Sequence, residues 1–91
     1  MKPGPLREFC IKDHARFQMK RRQISEDQVR QVLTAPQQII EKEGSRYIYQ
    51  SKLFLPILGK ERLFRVVVDT RHELVEVVTA YRTSKIAKYW R

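Results

Sequence analysis

The sequence predicts an α+β domain in which two N-terminal helices pack on an antiparallel sheet of about four strands, followed by a short C-terminal helix. Three observations carry this. Apolar residues recur at helical spacing as far as Pro36 and in β-prone runs beyond it. Those runs follow one another with short turns, which favours antiparallel pairing. Helices grouped at one end of the chain must then cover one face of the sheet. The 91 residues make one domain, 1–91, and Pro3, Gly4 and Pro5 mark 1–5 as a flexible leader.

The first helix is expected over about 14–22, with Asp13 as its N-cap and Ala15 and Met19 as a narrow apolar stripe. His14, Gln18 and Arg22 run beside that stripe at i, i+4, i+8, and Phe17 and Arg21 border the row. The second helix is expected over about 26–34. Ser25 caps it, Gln28 completes a capping box, and Ile24 and Val29 occupy the hydrophobic-staple positions. Val29, Val32 and Leu33 give it a core stripe, and Pro36 follows its end.

Residues 38–41 and 46–50 read as a hairpin around Gly44, and residues 63–69 and 74–81 as the two strongest strands, joined by 70–73. The apolar stretch 53–59 either extends the second strand or loops over the core. Residues 84–90 suit a terminal helix with Ile86, Tyr89 and Trp90 turned inward.

The charge is the outlier. Nineteen Lys and Arg face ten Asp and Glu, a net +9, which suits a polyanionic partner such as RNA, a membrane surface or an acidic protein. Cys10 stands alone, so no internal disulfide and no thiolate zinc site is expected. No secretory signal and no apolar run of membrane length is present, and the expected location is the cytoplasm.

His14 and His72 lie far apart, the carboxylates are scattered and no glycine-rich phosphate loop occurs, so neither a metal nor a cofactor is expected. General acid–base cleavage of RNA is chemically open to the remaining groups. It needs a base for the 2′-hydroxyl, cations for the phosphorane charge and an acid for the leaving 5′-oxygen. His14 fits the base, Arg22 with Arg65 or Arg82 the cations, and Tyr81 or Lys85 the acid. Each has a structural alternative: His14 a packed helix-start residue, Arg21 and Arg22 solvated helix-end charges, Tyr81 a core aromatic sharing one strand face with Val75, Val77 and Thr79. Arg82, Lys85, Lys88 and Arg91, interleaved with Tyr81, Tyr89 and Trp90, form the densest basic and aromatic stretch, suited to phosphate contact and base stacking or to a helix with its lysines outward.

Two stretches carry a family resemblance. Residues 14–25, His-Ala-Arg-Phe-Gln-Met-Lys-Arg-Arg-Gln-Ile-Ser, resemble the His-Ala-x-x-Arg-Met-x-x-Arg-Gly-Ile-Ser opening of the bacterial domain-of-unknown-function family 4258. Residues 77–85 resemble that family's closing valine-rich strand, which ends in Thr-x-Tyr. The family is usually grouped with the RelE-like toxins, alongside barnase, EndoU and the colicins. The resemblance implies a curved antiparallel sheet and metal-independent RNA cleavage, with messenger RNA as substrate and an acidic antitoxin as partner. It places His14, Arg22, Tyr81 and Lys85 as catalytic, and beside them Gln18, Arg21, Arg65, Arg82 and Lys88 are the RNA-binding groups expected from the basic residues themselves. The chain departs from the pattern twice: Gln18 stands where an Arg is usual, and Gln23 where a turn Gly is usual. RNA or DNA binding without cleavage, and docking of an acidic protein, are the alternative functions.

Overall fold

In the computed structural model, which describes residues 3–91, the chain runs β1 (Phe9–Ile11), α1 (Asp13–Arg21), α2 (Glu26–Thr34), β2 (Gln38–Glu41), β3 (Arg46–Leu55), β4 (Lys60–Asp69), β5 (Val75–Thr83) and α3 (Ile86–Tyr89). The class is α+β, as the sequence predicts. The sheet has five strands in the order β1-β5-β4-β3-β2, rather than about four. The added strand is β1, which pairs parallel with β5, setting Phe9 opposite Val75 and Ile11 opposite Val77. Three residues show no alternation to read, and their partner lies at the other end of the chain. The stretch 53–59 divides: 53–55 prolong β3, and Pro56 to Gly59 turn into β4.

The helix ends differ in how they are closed. Asp13 is not the N-cap of α1. Lys12 holds that position with extended backbone, because its N–H still bonds to the Val77 carbonyl at 3.2 Å, and Asp13 sits in the first turn facing the helix dipole. The other end closes as a Schellman motif: Ile24 N–H reaches the Met19 carbonyl at 2.8 Å and Gln23 N–H the Lys20 carbonyl at 3.2 Å. Gln23 adopts the left-handed conformation this requires, at φ 57°. Ser25 and Gln28 form the expected capping box on α2, each side chain bonding the other's backbone N–H.

The sheet has two unlike faces. On one, α1 lies over β5 and α2 over β3 and β4. There Ala15, Met19, Ile24, Val29, Val32 and Leu33 meet Tyr47, Tyr49, Phe64, Val66, Val68, Val77 and Ala80 in one buried cluster. The leader expected over 1–5 lies outside the described residues at Met1 and Lys2. Beyond them it is fastened: Tyr49 donates its hydroxyl to the Gly4 carbonyl at 2.6 Å, and Leu6 N–H bonds to the Leu33 carbonyl at 2.8 Å. Burial first, and Tyr47 second, push the Tyr49 hydroxyl up to about 12. The terminal α3 and its C-cap turn Ile86, Tyr89 and Trp90 towards the sheet, as expected, but on the side away from the apolar core. None of its residues is buried, and it lies against the opposite, polar face of the sheet.

A bulge in β5 decides which residues reach that polar face. Val67 pairs with Thr79 but Val68 with Val77, so Val78 is an extra residue and the alternation inverts there. Val75 and Val77 face the helices, whereas Tyr81 pairs with Arg65 on the other side. The expectation that Val75, Val77, Thr79 and Tyr81 share one face is therefore corrected.

Asp69 ties the β2–β3 turn to the β4–β5 loop. Its carboxylate, 2% exposed, accepts from Ser45 Oγ at 2.7 Å and from Arg71 N–H at 2.9 Å, and pairs with the Arg71 guanidinium at 3.0 Å. The Arg71 amide, then the Ser45 hydroxyl, hold it down to about 2.

Two outcomes follow. Gln23→Gly should stabilise the fold by roughly 0.5–1 kcal/mol in urea denaturation, since a side chain at positive φ costs about 1–2 kcal/mol and glycine's greater unfolded-state freedom offsets part of the gain. A loss of stability would contradict the Schellman assignment. Asp69 is more acidic in the folded protein than in the unfolded one, so its contribution is fully present above the ordinary aspartate pKa and fades as pH falls towards about 2. Asp69→Asn should therefore lower the urea midpoint at neutral pH, and the gap to wild type should close in acid.

Candidate nucleic-acid interface

The polar face is organised by strand register. Gln38 pairs with Gln50, Gln50 with Arg65, and Arg65 with Tyr81, so four polar side chains form one row across β2, β3, β4 and β5. They are bonded in sequence. Gln50 donates Nε2 to Gln38 Oε1 at 2.7 Å and accepts from Arg65 Nε at 2.8 Å through its oxygen. Arg65 Nη1 donates to the Tyr81 hydroxyl oxygen at 2.5 Å.

Arg65 is the unusual member. It is 6% exposed, yet among the described residues no carboxylate reaches it. Its neighbours are neutral: Gln50, the Tyr81 hydroxyl, and the Tyr89 ring, whose centroid lies 4.2 Å from the guanidinium carbon. An unpaired buried cation costs several kcal/mol in desolvation. Charge-assisted hydrogen bonds return about 1.5–3 kcal/mol each, and a desolvated ring contact about 2 kcal/mol, so the charge is tolerated without being neutralised. Nη2 has no bond to a described residue, and no described buried side-chain nitrogen is left unsatisfied, so Nη2 meets solvent. The guanidinium thus offers an open donor edge to an anion.

A second cluster adjoins the row. Thr79 donates its hydroxyl to Gln18 Oε1, while Arg22 Nη1 donates to Thr79 Oγ1 at 3.3 Å and to the Ala80 carbonyl at 2.9 Å. Arg22 thereby caps the outer edge of β5 beyond the point where β1 stops. Thr79 and Tyr81 are two residues apart on one strand, about 7 Å between Cα atoms and on the same face. The Gln18 and Arg22 positions of α1 therefore reach round the β5 edge to the side that carries Tyr81 and Arg65. His14 lies one turn before Gln18, exposed and without a hydrogen bond or ion pair to any described residue.

The other expected site residues disperse. Arg82 turns to the helix side, paired with Phe64 and bonded to the Gln23 carbonyl at 3.2 Å. Arg21 is the exception: exposed, with its guanidinium 5.8 Å from the Phe17 ring, it lines a pocket of about 160 Å³ together with Gln18 and Arg22. Lys85 takes the N-cap position of α3, with its N–H on Thr83 Oγ1 at 3.0 Å, and Lys88 stands 5.3 Å from the Tyr89 ring. Three contributors were not anticipated as site residues, Gln38, Gln50 and Thr79, whereas Tyr89 belongs to the aromatic stretch expected to stack on bases. Gln50 and Arg65, polar residues within β-prone runs, were the available signal; the register that joins them was not. Among the described residues no three His, Cys, Asp or Glu side chains gather as a metal ion would need, and no helix is long and apolar enough to cross a membrane.

The fold and this row define a small basic α+β domain with an uncompensated cation at the centre of one sheet face. A family model described as a domain of unknown function, DUF4258, matches residues 11–82, and the chain belongs to that family. The matched stretch holds Gln18, Arg22, Gln50, Arg65 and Tyr81, while α3 follows it. Comparison with curated proteins and with solved structures gives no match.

Proposed function

We propose that the protein is a metal-independent endoribonuclease of the RelE-like toxin kind, acting on single-stranded RNA such as a messenger. The observation that carries this reading is the buried Arg65 guanidinium, which has no carboxylate, opens a donor edge to solvent and holds the Tyr81 hydroxyl. A phosphodiester seated on Arg65, with Arg22 beside it, places its charge between two cations. Because the Tyr81 oxygen accepts from Arg65, its own hydrogen remains available for transfer. In the reaction a base takes the 2′-hydroxyl proton, O2′ bonds to phosphorus, and the bond from phosphorus to O5′ breaks. Tyr81 gives its proton to O5′, leaving a 2′,3′-cyclic phosphate and a free 5′-hydroxyl. His14, one turn from Gln18, serves as the base, and Lys85 and Lys88 contact the flanking strand.

An acidic antitoxin is the partner this reading calls for. It is supported by the β3–β4 tip, where Ile57 is 98% exposed beside a cleft of about 310 Å³ walled by Leu55, Leu58, Gln23 and Arg82.

Purified protein incubated with RNA in EDTA should yield 2′,3′-cyclic phosphate ends. Tyr81→Phe should slow cleavage about 100-fold or more, the ordinary contribution of a general acid. Intact RNA with the wild-type protein would overturn the enzymatic reading. A second reading, nucleic-acid binding without cleavage, is favoured by one observation: no described side chain orients His14 as a base is usually oriented. It would appear as steeply salt-dependent binding with no products.

A further inference from the structure

The face of the Arg65 guanidinium, beside its open donor edge, is covered by residues 86–91. Tyr89 stacks on the guanidinium at 4.2 Å, and Gln50 Nε2 donates to the Tyr89 carbonyl at 3.1 Å. Gln38 grips the last residue from both sides, donating to the Arg91 carbonyl at 2.8 Å and accepting its N–H at 3.1 Å. Trp90 lies with the Lys52 ammonium 4.0 Å from its ring centroid.

The attachment is shallow: Ile86, Tyr89 and Trp90 are half-buried against the sheet, and none is fully buried. No residue of 86–91 enters the buried apolar cluster, α3 has four residues, and its N-cap lacks a side-chain bond. Two glutamines, which also belong to the row carrying Arg65, hold its backbone, and cations lie over two of its rings. An aromatic ring flat on an arginine is also how proteins hold an unstacked base. Tyr89 therefore occupies the position that a nucleobase would take beside a phosphate on Arg65.

We infer that residues 86–91 form a displaceable strap over the base position beside Arg65, with Tyr89 standing in for a base that single-stranded RNA supplies when it binds. This rests on Arg65 as the phosphate-binding cation of the proposed function, and it does not require cleavage. Binding exchanges the Tyr89 stack for a base stack and frees the Gln38 grip on Arg91. A site that must open before it binds shows an affinity reduced by the fraction of time it is open.

Trp90 is the chain's single tryptophan and lies within the strap, so its fluorescence reports the exchange. The probe is a short 2′-O-methyl oligouridylate, which has no free 2′-hydroxyl and cannot be cleaved by this route. Saturating it should shift Trp90 emission to longer wavelength as the ring enters water. Gln38→Leu should show part of that shift without ligand and bind the oligonucleotide at least about threefold more tightly, because the open fraction has risen. Tyr89→Ala, which leaves the apolar core untouched, should also bind more tightly. Binding with Trp90 emission unchanged, failure of the wild-type protein to bind, or weaker binding by Tyr89→Ala would overturn the strap. Intact natural RNA alongside a normal Trp90 response would remove the enzymatic reading and keep this one.

Discussion

Arg65 brings a full positive charge into a sheet face that excludes most water, and it does so without a carboxylate to meet it. A lysine or arginine at that depth is ordinarily paired, because neutral hydrogen bonds return only part of the hydration it gives up. Here the return comes from a line of neutral groups fixed by register: Gln50 on one side, Tyr81 on the other, and Gln38 steadying Gln50 from the edge strand. Removing Gln50 or the Tyr81 hydroxyl leaves an Arg65 nitrogen without its partner, so those three groups stand or fall together, whereas Gln50 Nε2 keeps the Tyr89 carbonyl if Gln38 is lost.

The rest of the architecture serves to make that face available. The helices and the apolar side of β3, β4 and β5 form the large buried apolar cluster of the described residues, which leaves the other side of the sheet to carry the polar row beside Ile48 and Leu63. The β5 bulge turns Tyr81 out of the core and into the row; without the extra residue at Val78 the ring would face α1. The Schellman turn at Gln23 ends α1 where Arg22 can reach the Ala80 carbonyl beyond the end of β1. The charge excess thus resolves into one buried cation, one at the strand edge, and exposed lysines and arginines around them.

Much of the fold was legible because it rests on local chemistry. The capping box at Ser25 and Gln28, the core stripes of both helices, and the β-branched runs of β4 and β5 each have a sequence signature within a few residues. What escaped notice depends on distant pairing. Three residues of β1 become a strand only because β5 offers its edge, and Lys12 becomes the cap because β1 runs into α1. The site was legible in part for the same reason. Arg65 and Tyr81 meet, and Gln18 and Arg22 share a cluster, as helical and strand spacing suggest. Gln38 and Gln50 are ordinary strand-end residues until register aligns them, and Arg82 leaves the group because strand neighbours face opposite ways.

The central claim is that Arg65 is an anion site awaiting its charge partner, and thermal unfolding in inorganic phosphate against chloride at matched ionic strength tests it most directly. A ligand that binds only the folded state raises the melting temperature with concentration. The wild-type protein should melt progressively higher in phosphate, and Arg65→Met should lose that dependence. An equal phosphate response in both proteins would contradict the account.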